Sequence, residues 1–93
     1  MYNFDTRSEV DKIFAKLSKK NPKQLEIIYR KISEIIQDPH HYKNLRQPLQ
    51  HLKRVHIDKS FVLTFSIDES KKLVIVEDYD HHDNIYKKWK FKL

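Results

Sequence analysis

The chain has 93 residues, of which 34% are charged, and a formal net charge of +6, as expected for a single small domain that attracts anionic partners. It contains no glycine, which excludes the glycine-rich loops that bind phosphates or dinucleotides. It contains no cysteine either, which excludes disulfides and cysteine-based zinc sites. No apolar run approaches membrane length and the N-terminus carries no apolar signal core, so we expect a cytoplasmic protein with no membrane partner.

The N-terminal residues predict a short strand followed by a helix. Tyr2 and Phe4 alternate with polar neighbours, which is compatible with a strand. Thr6 and Glu9 have the spacing of a capping box, which predicts that a helix opens here. Apolar residues then recur at helical spacing as far as Leu17, so one face of this helix is predicted to be buried.

A second helix follows the first almost immediately. Asn21 is a natural N-cap and Pro22 suits the first helical position. Apolar residues repeat with a clear helical period from Leu25 to Ile36, and Asp38-Pro39 ends the pattern. The two helices are therefore predicted to form a tight hairpin.

The second half of the chain changes to a period of two after a basic connector at residues 39–51. Strands are predicted at 52–57, 61–67 and 72–79, joined by short polar turns in an antiparallel meander. Residues 80–93 begin with turn-like polar residues and end in a basic tail with Trp89 and Phe91, which predicts a short C-terminal helix or turn. The fold class is therefore α+β over a single domain, residues 1–93, with the helical hairpin on one face of a small, mainly antiparallel sheet in the order β-α-α-β-β-β.

Strand alternation separates an apolar face of this sheet from an open one. The residues predicted to point towards the helices are Val55, Ile57, Phe61, Leu63, Phe65 and Ile67. Arg54 and His56 are predicted to point the other way, onto the open face. Because histidine exchanges protons near neutral pH, a histidine on a basic surface is a candidate for acid–base chemistry on a phosphodiester.

The order of elements resembles the RelE/ParE superfamily of toxins from toxin–antitoxin modules, and most closely its YafQ-like branch. Three parts of the chain carry the resemblance: His41-Tyr42-Lys43-Asn44, the strand pair Lys53-Arg54-Val55-His56-Ile57 with Phe61-Val62-Leu63-Thr64-Phe65, and His82-Asp83-Asn84-Ile85-Tyr86. The resemblance implies a RelE-like fold and a toxin that cleaves mRNA in the ribosomal A site and so inhibits translation. It also implies a cognate antitoxin, expected to be acidic, and a higher-order toxin–antitoxin complex.

Carried over position by position, the resemblance implies that His56, His82 and Tyr86 are the catalytic residues. Metal-independent cleavage needs a base for the ribose 2′-OH, an acid for the leaving 5′-oxygen and positive charge near the phosphate. The two histidines supply the acid and the base, in an order that the sequence leaves open. The basic residues predicted to contact phosphate are Arg46, Lys53 and Arg54.

The sequence departs from the family pattern at three places. Ser60 stands where the branch carries an acidic residue, with Asp58 close by, and both are predicted to support the site together with His81. A connector histidine of the branch has no clean counterpart, since Leu45 falls nearest and His51 is displaced. An apolar stretch at 61–62 replaces an arginine that many RelE members carry.

Several alternatives remain open from the sequence. The superfamily also includes ParE-like gyrase poisons, which need no acid–base pair, and a basic RNA-binding module could occupy the ribosome without cutting. Arg54 could instead balance Glu77 or Asp78 across the sheet. The acidic and histidine residues at 78–83 invite a metal-site interpretation, but consecutive residues rarely converge on one ion, so no metal and no cofactor are expected.

Overall fold

The architecture was obtained as a computed structural model that describes residues 1–47 and 49–91, with only the backbone described for 89–91. Its elements are β1 (Asn3–Thr6), α1 (Ser8–Lys20), α2 (Pro22–Ile35), a 3-10 turn (Pro39–His41), β2 (Lys53–Ile57), β3 (Phe61–Asp68), β4 (Leu73–His81) and α3 (His82–Phe91). The predicted α+β order is confirmed, and the C-terminal segment is a helix. The side chains of Trp89 and Phe91 lie outside the described part of the chain.

The four strands form one mixed sheet in the order β1-β4-β3-β2. β2, β3 and β4 make the antiparallel meander that the sequence predicts. β1 lies on the far edge and pairs in parallel with β4, where Asn3 is opposite Leu73. The sheet is therefore completed by a strand from the opposite end of the sequence.

The helical hairpin forms as predicted because both helices have an apolar face to bury. Val10 and Phe14 on α1 and Ile32 on α2 are buried. Asn21 is the N-cap of α2, since its side-chain Oδ1 accepts a hydrogen bond from the amide of Gln24 at 3.2 Å. The N-cap prediction for the second helix is therefore confirmed.

The predicted capping box at the start of α1 is wrong. The N-cap residue of α1 is Arg7, without a side-chain capping bond. Thr6 belongs to β1, where it is paired with Val76, and its hydroxyl donates to the carboxylate of Asp11. Pairing with a distant strand thus outweighs the local helix-start signal.

The main core lies between the helical hairpin and one face of the sheet. The predicted inward-facing residues of β2 and β3 all belong to this core or pack against it, and Phe65 at its centre is completely buried. Among the described residues, no helix is both long and apolar enough to cross a membrane.

The opposite face of the sheet is partly covered by α3, which packs against β3 and β4. Val62, Thr64 and Ile85 are at most 1% exposed although they lie outside the main core cluster, so a second, smaller buried region exists here. The turn predicted after residue 79 is wrong, because β4 continues to His81, which pairs with Phe61. α3 begins at the next residue, so its first turn is placed directly by the end of the strand.

Candidate active site

Arg54 on β2 and Tyr86 on α3 are in direct contact on the face of the sheet that carries α3. The Arg54 guanidinium donates a hydrogen bond to the Tyr86 hydroxyl, and its Cζ lies 5.9 Å from the centre of the Tyr86 ring. Tyr86 keeps 45% of its surface exposed, so a nucleotide base can reach the ring. The contact joins two residues that are 32 positions apart in the sequence.

His56 and His82 lie on the same side of this contact, towards the β2–β3 hairpin. His56 is exposed on the same strand face as Arg54, two residues along β2, which is about 7 Å. His82 precedes Tyr86 by four residues, about one helical turn or 6 Å, so both share one face of α3. The backbone amide of His82 donates to the carbonyl of Ser60 at 2.8 Å, which fixes the start of α3 beside the β2–β3 hairpin. Along their own elements, His56 and His82 therefore both lie on the side of Arg54 and Tyr86 that is nearer the β2–β3 hairpin.

The His82 imidazole has a defined partner in the next residue. Its Nδ1 lies 2.9 Å from Oδ1 of Asp83. The ring also stacks on that of His81, with 4.5 Å between the ring centres and 29° between the planes. His81 Nδ1 in turn accepts a hydrogen bond from the Asp83 backbone amide at 3.2 Å. Asp83 thus contacts both imidazoles through different groups.

A lysine and two aspartates hold α3 on the sheet. Lys88 Nζ lies 3.1 Å from carboxylate oxygens of both Asp78 and Asp80. Asn84 also donates to Asp80, at 3.1 Å. Burial acts to raise the pKa of Asp80, but the hydrogen bonds from Asn84, the His81 amide and Lys88 outweigh it and leave the pKa below its usual value. Asp80 therefore remains charged, and the helix is tied to β4 on the side away from Arg54.

Neither acidic residue that could have balanced Arg54 is available to it. Asp78 is bound by Lys88, and the carboxylate of Glu77 receives two hydrogen bonds from Arg7, at 2.9 and 3.1 Å. Burial acts to raise the pKa of Glu77, while the bonds from Arg7 and Ser66 and the nearby charge of His51 lower it below its usual value. Arg54 therefore makes its contact with Tyr86 rather than across the sheet.

The other two predicted phosphate contacts, Lys53 and Arg46, make no side-chain contact with Arg54 within the described residues. Lys53 is 9% exposed, and its Nζ donates to the carbonyl of Tyr42 and the side chain of Asn44, both at 2.8 Å. This amine attaches the connector to β2, because residue 53 points towards the helices as Val55 does. Arg46 is exposed in the connector, and no contact joins its side chain to Arg54 within the described residues.

The residues predicted as support contribute mainly through the backbone. Asp58 has a φ of 58°, the left-handed conformation that the tight β2–β3 turn requires and that aspartate tolerates better than most residues. Because the chain has no glycine to adopt this conformation, aspartate is a suitable residue at position 58. Ser60 accepts the His82 amide through its carbonyl, as described above. His81 contacts the site by stacking on His82.

His81, His82 and Asp83 form a cluster whose potential ligand atoms all lie within 4.8 Å of one another. Imidazole and carboxylate groups are suitable ligands for borderline divalent ions. The Nδ1 atoms of both histidines are already engaged by Asp83, and all three residues are at least one-third exposed. The cluster therefore gives no reason to replace acid–base chemistry with metal chemistry.

A groove of about 540 Å³ lies elsewhere, between the start of α1 and α3. It is lined by Arg7, Ser8, Glu9, Ile13, Glu77, Asp78 and Lys88. Its charged groups are mostly paired with one another, and neither His56 nor His82 lines it.

Two features of the site were not predicted from the sequence: the residues that attach α3 to the sheet, and the pairing of Asp83 with His82. Asp80, Asn84 and Lys88 follow one another at intervals of four, which places Asn84 and Lys88 on one helical face. This spacing could have been used to predict their contact with Asp80. The Asp83–His82 contact depends on side-chain rotamers and had no comparable signal.

No family model matches this chain. A protein of Methanocaldococcus jannaschii named "Putative toxin RelE4" is 60% identical over 90 residues, which cover 97% of this chain and 96% of that protein. An uncharacterized protein of Methanosarcina mazei is 64% identical over 86 residues, which cover 92% of this chain and all of that protein.

Several solved structures with this fold come from toxin–antitoxin systems. The YoeB–YefM complex of Staphylococcus aureus matches with a TM-score of 0.75 and 13% identity over 88% of this chain and 98% of that chain. The RelBE2 toxin–antitoxin complex of Mycobacterium tuberculosis matches with a TM-score of 0.72 and 20% identity over 86% and 90% of the two chains. The isolated Escherichia coli RelE toxin matches with a TM-score of 0.70 and 16% identity over 95% and 98%. At these identities the similarity establishes the fold. The closer relation to the YafQ-like branch stays a prediction.

Proposed function

This chain belongs to the RelE family of toxins, and from that premise we propose that it is a metal-independent endoribonuclease that cleaves mRNA in the ribosomal A site and so inhibits translation. The observation that carries the proposal is the Arg54–Tyr86 contact. It joins α3, with His82 one turn before Tyr86, to the strand that bears His56. The proposal uses the two histidines as proton-transferring groups together with the Arg54 guanidinium and the exposed Tyr86 ring.

The proposed reaction uses these groups in separate roles. One histidine removes the proton from the ribose 2′-OH, whose oxygen attacks the adjacent phosphorus. The P–O5′ bond breaks, and the other histidine protonates the leaving 5′-oxygen. Arg54 stabilises the additional negative charge on the phosphorane, and Tyr86 stacks on a base or orients the 2′-OH. The products are a 2′,3′-cyclic phosphate and a 5′-hydroxyl.

Arg54 is the principal phosphate contact in this proposal, and exposed Arg46 is a second contact from the connector. Lys53 has no part in it, since its buried amine is used to hold residues 42–44. The Tyr86 hydroxyl keeps Arg54 in place through a hydrogen bond, and within the described residues no carboxylate pairs with the guanidinium. The guanidinium can therefore still attract a phosphate.

The test is cleavage of an mRNA during translation in a purified system, with the new 5′ ends mapped by primer extension. We expect ends inside the coding region that carry a 5′-hydroxyl, and losses of roughly 10²–10⁴-fold for His56→Ala and for His82→Ala. His40→Ala removes a histidine that contacts Glu69 in the β3–β4 turn and serves as the matched control. Inhibition of translation without new ends would contradict cleavage and favour a ribosome-binding inhibitor. Equal cleavage of naked RNA would contradict the dependence on the ribosome.

We also propose a cognate acidic antitoxin that blocks this surface within a higher-order complex. A chain with a net charge of +6 and an unneutralised Arg54 favours an acidic segment that folds on binding. The proposal predicts a neighbouring reading frame for a small acidic protein whose co-expression restores growth. Absence of such a gene would contradict it.

A further inference from the structure

The contacts of Asp83 bear on a question that the sequence leaves open, namely which histidine is the base. His82 Nδ1 lies 2.9 Å from Oδ1 of Asp83. A carboxylate can only accept a hydrogen bond, so the proton of a neutral His82 ring lies on Nδ1. Its Nε2 then carries the free lone pair. A ring in this tautomer is ready to accept a proton from a hydroxyl group.

His81 has the opposite arrangement although it is the adjacent residue. Its Nδ1 accepts the backbone N–H of Asp83 at 3.2 Å, so the proton of a neutral His81 ring lies on Nε2. The Asp83 carboxylate reaches this ring less closely, with 3.8 Å between Oδ2 and Nδ1. One residue thus sets different tautomers on two stacked rings, through its amide and through its carboxylate.

We propose that Asp83 is a positioning residue that makes His82 the general base of the cleavage reaction. This inference rests on the proposed nuclease function. In it, Nε2 of His82 takes the proton of the 2′-OH, the P–O2′ bond forms and the P–O5′ bond breaks. His56, which has no side-chain hydrogen bond or ion pair within the described residues, protonates the departing 5′-oxygen from its imidazolium form. Both histidines return to their starting states by exchange with solvent.

The position of Asp83 fits this role better than a purely structural one. Its side chain is 66% exposed, so it contributes little to packing. The seating of α3 depends on other residues, chiefly Lys88 and Asn84. Removal of the Asp83 carboxylate should therefore change the His82 ring while leaving the helix in place.

The decisive measurement is the ring nitrogen NMR signature of His82 and His81 in the full-length protein at a pH where both rings are neutral. In the wild type we expect His82 protonated at Nδ1 and His81 protonated at Nε2. In Asp83→Asn we expect His82 to shift towards the Nε2-protonated form that free imidazole side chains prefer. The His81 signal serves as an internal control, because the backbone amide of residue 83 remains.

Ribosome-dependent cleavage is measured on the same samples. We expect Asp83→Asn to lower the rate about 10- to 100-fold, less than the roughly 10⁴-fold seen when a buried orienting carboxylate is lost, because Asp83 is largely exposed. Asp83→Glu keeps the charge and should recover part of the rate. Asp38→Asn removes another exposed carboxylate, beyond α2, and should leave both the rate and the His82 signature unchanged.

Two kinds of failure can be told apart. If the wild type cleaves but His82 is protonated at Nε2, or if Asp83→Asn changes neither signature nor rate, the positioning role is overturned and the nuclease function stands. If the wild type produces no cleavage, the nuclease function is overturned and the catalytic role of Asp83 with it, even where the NMR signature shows the predicted pairing.

Discussion

The face of the sheet under α1 and α2 is closed by apolar side chains, whereas the face under α3 is held largely by polar and charged contacts. On the first face the buried residues form one continuous core. On the second, a few buried residues around Val62 and Ile85 are joined by the Lys88–Asp78–Asp80 cluster and by the Arg54–Tyr86 contact. The first face therefore mainly provides the stability of the fold, and the second face carries the candidate site. Substitutions on the first face should unfold the protein, and those on the second should mainly change what it does.

The largest expected effect is the loss of a ring from the first face. Phe65 is completely buried, so Phe65→Ala should lower the free energy of unfolding by about 3–5 kcal/mol. Urea unfolding followed by circular dichroism measures this change. His56→Ala on the neighbouring strand is the control, because His56 is exposed on the second face and should leave the unfolding midpoint unchanged. Similar losses from both substitutions would remove the proposed difference between the faces.

The next largest effect concerns the attachment of α3. Lys88→Met leaves Asp78 and Asp80 without their cation and should cost roughly 1–2 kcal/mol, less than a buried pair because Lys88 is 44% exposed. Cleavage should also fall, since α3 carries both His82 and Tyr86. Lys87→Met removes an exposed lysine from the same helix and should change neither quantity. Unchanged stability in Lys88→Met would show that Ile85 alone seats the helix.

The N-cap of α2 tests the first face without touching its core. Asn21→Ala should lower the free energy of unfolding by about 1 kcal/mol, because the amide of Gln24 loses its partner. Asn21→Asp retains an acceptor oxygen and should stay close to the wild type in the same denaturation experiment. Cleavage per folded molecule should be the same for both variants. An equally destabilised Asn21→Asp would contradict the capping role.

The smallest effect is expected at the β3–β4 turn, far from either histidine of the site. Lys72, Tyr2 and His40 hydrogen-bond to Glu69 and lower its pKa from an ordinary 4.5 to about 2. A carboxyl with a lowered folded-state pKa stabilises the fold above its unfolded pKa and loses this contribution as the pH falls towards 2. The Tm difference between wild type and Glu69→Gln should therefore narrow between pH 5 and pH 2, as measured by thermal unfolding. A Tm difference that is independent of pH would contradict the lowered pKa of Glu69 in the folded protein.

The features predicted correctly from the sequence are those with a local or periodic cause. Alternation along the strands was enough to place His56 and Arg54 on the face opposite the helices, because the side-chain period of a strand is fixed. The N-cap at Asn21 could be predicted from the sequence because its hydrogen bond joins residues only three positions apart. The same alternation also predicts that Lys53 points inward with Val55, a consequence that the phosphate-contact prediction overlooked.

The features that could not be predicted depend on distant pairing or on rotamers. Thr6 became a strand residue because β4 pairs with β1, and a capping-box pattern carries no information about that pairing. β4 continued to His81 because β3 offered a partner there at Phe61. The Asp83–His82 contact depends on the conformations of two side chains, and these cannot be predicted from the sequence.

The parallel pairing of β1 with β4 also determines when the molecule becomes complete during synthesis. Asn3 is synthesised well before its partner Leu73, and contacts between residues so distant in the sequence are slow to form. α3 follows every other described element and joins the sheet only after its strands exist. A nascent chain therefore lacks the closed sheet until β4 has been synthesised, and it lacks the Arg54–Tyr86 contact until α3 has followed.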